Sequence, residues 1–319
     1  MRAIVAYELG GPEVLKLEER PRPVAGEGQI VIRTEAIGVS YAETQLRAGT
    51  LPMPVPLPLP AVLGAEAAGE VVEVGAGVDD ALLGSARVGV TGGAGAYAEY
   101  VAVPVSLTSP VPDGVTPVEA VAAGAPGAIA LALLHRAGLT GGETVLVEAG
   151  ASSVGTYLIE HAKELGAGKV IATAGAQAKR DRAGALGADE VLDHREAGWP
   201  DALPDVDVVF ESIGGPSARQ VLGRLTPGTG RMLYYGLLSG EPPAVTAADL
   251  MERGVTVTGC SGPAWAAQVF GTHYPEILAR LASGRSRAHV HATLPLEQIS
   301  EAHRLLESRT ALGRVLLTP

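Results

Sequence analysis

The stretch Glu148-Ala149-Gly150-Ala151-Ser152-Ser153-Val154-Gly155 carries the most legible chemistry in the chain. It follows the apolar run Thr144-Val145-Leu146-Val147 and opens a helical segment near Val154 to Leu165. Small residues at such a strand-to-helix turn let the backbone approach a pyrophosphate, and the helix start favours negative charge. The spacing is that of a dinucleotide fingerprint, with Ser152 where the second Gly usually stands. Gly150, Ala151, Ser152, Ser153, Val154 and Gly155 are therefore candidate cofactor contacts. A plain tight turn also wants glycine, but the strand before and the helix after favour a nucleotide.

The residues that follow bear on which nucleotide. A site for an unphosphorylated ribose usually supplies an acid about 20 residues on. Between Glu164 and Asp181 there is none. Thr173 closes the second apolar run, and Lys179 and Arg180 come next. A cation there pairs with a 2′-phosphate, which points to NADPH. Solvated helix charges are the plain alternative for Lys179 and Arg180, so the missing acid is the stronger half of the argument.

Absent residue types exclude other chemistries. The seven histidines begin at His135, and the single cysteine is Cys260. A zinc site needs several Cys, His or acidic ligands converging, so the first domain is expected to hold no metal of Cys/His type. His289 and His291 share one strand face but have no evident third ligand. No Gly-x-Ser-x-Gly elbow is present, which removes the usual hydrolytic serine.

The elements that must position these residues fall into two regimes. The first part reads as short strands broken by Gly and Pro: Arg2 to Ala6, Gln29 to Arg33, Glu70 to Val74. A helix near Ala42 to Ala48 interrupts them, and the proline-rich run Leu51 to Pro60 reads as an extended loop. From about Val118, apolar strands alternate with helices, which implies a parallel sheet covered on both faces. The final residues, with helices near Tyr274 to Ser283 and Leu296 to Ser308, are expected to return to the first domain. The division predicted is a first domain over 1–118, completed by 264–319, and a nucleotide domain over 119–263. No apolar run is read as long enough for a membrane span, and the start MRAIVAYELGG is not a secretory signal. The formal net charge of -11 argues against nucleic acid. One cysteine fits a reducing cytoplasm.

The chain resembles the quinone oxidoreductase, zeta-crystallin-like branch of the medium-chain dehydrogenase/reductase superfamily. The matching stretches are Met1 to Val5 with Gly11 to Leu15, Ala36-Ile37-Gly38-Val39-Ser40, Leu63 to Val71, Ala96 to Tyr100, Ala149 to Gly155, Leu186-Gly187-Ala188-Asp189 and Glu307-Ser308-Arg309. They span essentially the whole chain. The resemblance implies an α/β protein: a GroES-like β-barrel domain plus a Rossmann domain with a doubly wound parallel sheet. Zinc-dependent relatives place a Cys where Ser40 stands and a His where Ala65 stands. It also implies that Lys179 and Arg309 hold the 2′-phosphate, that His194 replaces an aromatic residue near the third strand, and that Gly236 and Leu237 run beside the nicotinamide. Departures are Ser152 and Ser153 for two glycines, Leu51 near a Tyr position and Ala128 near a Thr position, which suggest a more apolar pocket.

Together these imply NADPH-dependent hydride transfer to a small apolar quinone or enone, without zinc. A conjugated oxygen needs little acid help, and the candidates to polarise it are the hydroxyls of Ser40 and Tyr41, backbone donors or water; Ser40 has an equally good structural role in satisfying local backbone, and Tyr41 in packing. The alternatives are an enoyl or alkenal reductase, a biosynthetic tailoring reductase, or a weakly catalytic NADPH-binding module. The β-branched run 254–259 lacks the Lys or Pro that blunts an edge, so it is expected to pair with its symmetry mate in a homodimer.

Overall fold

The computed structural model describes residues 1–51 and 57–319, so half of the proline-rich run read as a loop, residues 52–56, lies outside the described residues. In chain order, eight strands come first: β1 (Arg2–Ala6), β2 (Leu15–Glu19), β3 (Gln29–Val39), β4 (Ala61–Val62), β5 (Glu66–Val74), β6 (Ala86–Val90), β7 (Tyr100–Pro104) and β8 (Thr108–Pro110). Helix α1 (Tyr41–Ala48) lies among them and α2 (Pro117–Ala137) follows. Next come β9 (Glu143–Val147), α3 (Ser153–Ala162), β10 (Ala167–Thr173), α4 (Gln177–Ala185), β11 (Glu190–Leu192), β12 (Val208–Glu211), α5 (Gly215–Leu222), β13 (Arg231–Tyr234), α6 (Ala247–Arg253), β14 (Thr256–Gly259) and α7 (Pro263–Gln268). The chain ends with α8 (Tyr274–Ala282), β15 (Val290–Pro295), α9 (Ile299–Glu307) and β16 (Arg314–Thr318).

Two compact units result: residues 1–128 with 270–319, and residues 129–269. The first is the GroES-like barrel. Its seven-stranded sheet runs β15-β16-β3-β5-β6-β8, with β7 also on β3. The long β3 serves two partners along one side: Gln29–Arg33 pairs with β7, and Ile37–Val39 with β16. Its apolar inner face meets Leu63, Tyr97 and Val101, and the returning C-terminal Leu296, Ile299 and Val315 complete that core. Strand β16 thus closes the barrel, as the apolar ending run implies.

The second unit is a six-stranded parallel sheet in the order β11-β10-β9-β12-β13-β14. Its strands are continuous apolar runs because helices cover both faces. Leu146, Ile171, Val209 and Met232 pack against Val221, Leu222 and Leu225. β14 is the edge strand. It starts at Thr256 rather than Gly254, because Gly254 is left-handed (φ 65°) and ends α6.

Helix α2 departs from the sequence reading. It is 21 residues long and apolar enough to cross a membrane by length and composition, so the reading that no run approaches that length is corrected. Its most apolar window is 72% buried within the protein. A helix apolar on all sides has no amphipathic stripe to betray it, and it belongs to a core. Its glycines allow close contacts: a Cβ on Gly127 would lie 2.5 Å from Ile277.

Candidate functional site

Within the parallel unit, the turn after β9 is built for a close-approaching phosphate group. Ala149 takes a left-handed φ of 49°. Gly150 N donates to Thr173 O at 2.8 Å, and Ala149 N donates to Thr173 Oγ1 at 3.1 Å. Thr173 therefore uses both its carbonyl and its hydroxyl to hold the turn. Gly150 must lack a side chain because a Cβ would sit 2.9 Å from both Ala172 and Ile159. A Cβ on Gly155 would collide with the Ala149 carbonyl and the Gly150 backbone. Ser152, in the second-glycine position, caps α3: its Oγ accepts from Gly155 N at 3.1 Å. The substitution thus exchanges a bare approach for a helix cap, and the hydroxyl hydrogen remains free to donate. Ser153 and Val154 occupy the first turn, whose N–H groups have no intrahelical acceptor.

Beside this turn lies a feature the sequence did not signal. Glu148, just past β9, and Glu211, the last residue of β12, lie side by side and are fully buried. Burial and their mutual proximity push the Glu148 carboxyl well above the ordinary carboxylate range, and Glu211 is raised as well. Glu211 Oε1 accepts from Ile213 N and Gly214 N, each at 2.8 Å. The pair thereby ties the phosphate turn to the loop after β12. That loop is zipped in turn to the one after β13: Leu238 N donates to Ser212 O at 2.9 Å, and Ser239 N to Ile213 O at 2.8 Å. Gly236 is required there, since a Cβ would lie 3.0 Å from Ser212. Leu237 is half-buried beside it.

The loop after β10 also differs from its sequence reading. An acid does reach it, from the third strand rather than the second. Asp193, just past β11, accepts from Arg195 Nη2 at 2.8 Å and from Arg180 Nη1. Arg180 also donates to Gly175 O and Gln177 Oε1, so it buttresses the loop. Lys179 is half-buried on α4 and His194 is exposed.

In the barrel unit, β3 delivers Ser40 to the start of α1. Ser40 Oγ accepts from Glu43 N at 3.3 Å, and Glu43 Oε2 accepts from Ser40 N at 2.6 Å, a reciprocal capping box. Glu43 Oε1 then accepts from Ala65 N at 2.7 Å. One buried carboxylate therefore links Ser40 and Ala65, the two positions where zinc-dependent relatives carry ligands. Tyr41 and Arg309, 268 residues apart, come together: Arg309 Nη2 donates to the Tyr41 hydroxyl at 3.1 Å, and the guanidinium carbon lies 5.2 Å from the ring centre. Arg309 adopts a left-handed φ of 56°.

Comparison with known proteins agrees with this geometry. Residues 26–113 match the model of an alcohol dehydrogenase GroES-like domain, and residues 153–282 match that of a zinc-binding dehydrogenase. The quinone oxidoreductase of Sus scrofa is 31% identical over 99% of this chain and 97% of its own length. The structure of the Escherichia coli quinone oxidoreductase complexed with NADPH superposes with a TM-score of 0.90 at 29% identity, covering 100% of both chains. A 2-haloacrylate reductase superposes with a TM-score of 0.85 at 28% identity, covering 100% of this chain and 99% of that one.

Proposed function

This chain belongs to the quinone oxidoreductase family of the medium-chain dehydrogenases/reductases, and from that membership we propose that it reduces a small apolar quinone or α,β-unsaturated carbonyl compound at the expense of NADPH, without zinc. The observation that carries the reading is the turn Ala149 to Gly155, where glycines at 150 and 155 let β9, β10 and the start of α3 pack closely and leave the first N–H groups of α3 without intrahelical acceptors, the arrangement that receives a pyrophosphate. NADPH would supply the hydride. Gly150 to Gly155 would hold its pyrophosphate, Lys179 and His194 its adenosine end, and Gly236 and Leu237 would border its nicotinamide. Arg309, engaged with Tyr41, is also assigned to the 2′-phosphate in this reading.

The acceptor's oxygen gains electron density as hydride arrives at the conjugated carbon. Ser40 Oγ accepts a hydrogen bond from Glu43 N, and its O–H can turn from the Glu43 carboxyl to the acceptor's oxygen. Tyr41 accepts from a guanidinium, which makes its O–H a better donor. Neither is a strong acid, which suits a resonance-stabilised oxyanion. The 2-haloacrylate reductase likeness supports an enone as readily as a quinone.

The test is NADPH oxidation against a panel of quinones and enones. We expect turnover with an apolar acceptor, no stoichiometric zinc by elemental analysis, and a preference for NADPH over NADH. Lys179→Ala should weaken NADPH binding by about ten- to a hundredfold and spare NADH. NADPH binding without turnover on any acceptor would favour a binding module instead; equal use of both nucleotides would remove the cofactor assignment.

We further propose a cytoplasmic homodimer joined through β14. That strand exposes Thr256 and Gly259 and, among the described residues, pairs only with β13. Thr256 N donates to Gly230 O at 3.1 Å on the β13 side, so strand alternation turns the Val257 N–H outward; Val257→Pro should remove that edge donor and weaken pairing by tenfold or more, on the order of 1.4 kcal/mol. Light scattering after size exclusion reads this out. A wild-type monomer at micromolar concentration would refute the assembly.

A further inference from the structure

Where the second and third strands of the parallel sheet end, two guanidinium groups converge on one carboxylate. β10 and β11 run side by side, and Ala174 N donates to Leu192 O at 3.0 Å. The chain then turns at Gly175. A Cβ there would lie 2.9 Å from His194 Nε2 and 3.1 Å from Arg195 Cδ. The missing side chain is what lets His194 and Arg195 fold over this turn.

Among the described residues, the hydrogen bonds that hold Arg195 in place go to Asp193. Its backbone N and its Nε both donate to Asp193 Oδ1 at 3.0 Å, and Nη2 donates to Oδ2 at 2.8 Å. Arg180 Nη1 donates to the same Oδ2. Both carboxylate oxygens are thus taken, and Asp193 is unavailable to a ribose hydroxyl. Two guanidiniums share this one carboxylate, and Glu196 is a second acid whose charge reaches Arg195. Arg180 is mostly covered and spends its remaining donors on Gly175 O and Gln177. Arg195 is 60% exposed. The outward charge at this turn is therefore that of Arg195. In a doubly wound sheet the adenosine ribose sits beyond the end of the second strand, which places its 2′ substituent at this turn.

We propose that Arg195 is a specificity-determining residue of the nucleotide site: its guanidinium, braced by Asp193 across Gly175, recognises the 2′-phosphate of a phosphorylated adenosine ribose. Asp193 serves as the brace. It stands near the ribose position as an acid would in a site for an unphosphorylated ribose, but its charge is spent on holding the arginine fork. The inference rests on the NADPH reading above.

The experiment titrates wild type, Arg195→Ala and Asp193→Asn with NADPH and with NADH, following the fluorescence of the reduced nicotinamide. Arg195→Ala should weaken NADPH by at least about tenfold and leave NADH within about twofold, since only the 2′-phosphate distinguishes the two. Asp193→Asn, which loosens the brace, should also weaken NADPH more than NADH. A loss of NADPH affinity smaller than tenfold in Arg195→Ala, or a parallel loss of NADH, overturns the proposal. The two readings separate cleanly. Wild type binding both nucleotides equally defeats the NADPH assignment; wild type preferring NADPH, with the preference intact in Arg195→Ala, leaves that assignment standing and defeats Arg195.

Discussion

Replacing Glu66 with Ala is expected to destabilise the barrel unit by about 3–5 kcal/mol in denaturant unfolding at neutral pH. Glu66 and Arg314 are 1% and 7% exposed and form an ion pair, with Nη2 to Oε2 at 2.8 Å. Burial lifts the Glu66 carboxyl, and Arg314 pulls it back toward the charged form. Oε1 accepts from Ala125 N at 2.9 Å and from the Tyr274 hydroxyl. Losing the carboxylate orphans all three donors at once and leaves a guanidinium buried without its counter-charge. The double variant Glu66→Ala with Arg314→Met should cost clearly less than the two single variants summed, because it removes both charges together. A single-variant cost within about 1 kcal/mol, or strict additivity, would refute the account.

The effect should reach the candidate catalytic hydroxyls. Glu66 follows Ala65, whose N–H is held by Glu43. Arg314 begins β16, which pairs with the end of β3 just before Ser40. Gly38 lies between them, and a Cβ there would stand 2.9 Å from Glu66 Oε2. Ser40 and Tyr41 are thus positioned by a buried polar lattice, not by hydrophobic packing alone.

Local pattern made part of this legible. The alternation of apolar runs and helices in the second unit fixes its parallel sheet, and the strand-to-helix turn at Gly150 to Gly155 is legible from its own small residues, although Thr173 on the next strand holds it. The Ser40-x-x-Glu43 capping box was equally local and went unread. Helix α2 was missed for a different reason: apolar on all sides, it has no period to detect. Contacts between distant segments left no local trace. Glu148 meets Glu211 because β9 and β12 are neighbours in the sheet, and Tyr41 meets Arg309 because the C-terminus returns to the barrel. The acid near the ribose position left no local trace either: Asp193 arrives from the third strand, not the second, and only the fold shows that Arg180 and Arg195 have already claimed it.

Acid should undermine the barrel through one histidine. His303 is fully buried on α9, with its Nε2 3.2 Å from the Tyr97 hydroxyl and its Nδ1 3.5 Å from Arg47 Nη1. Arg47 in turn pairs with Glu307. Burial first, and Arg47 second, push the imidazole down to about 3. The unfolded chain takes up this proton near pH 6.5, while the native protein refuses it until about pH 3. Between those values the unfolded state binds more protons, so stability is complete above about pH 6.5 and falls as the pH drops, by up to about 1.4 kcal/mol per unit. Carboxylates contribute acid sensitivity of their own, so the informative quantity is a difference between variants. His303→Gln keeps a group able to bond Tyr97 but cannot titrate. Between about pH 7.5 and pH 4.5, wild type should lose roughly 2 kcal/mol more unfolding free energy than His303→Gln. Parallel stability curves for the two proteins over that interval would show that native His303 takes up its proton as readily as the unfolded chain does, and would overturn the account.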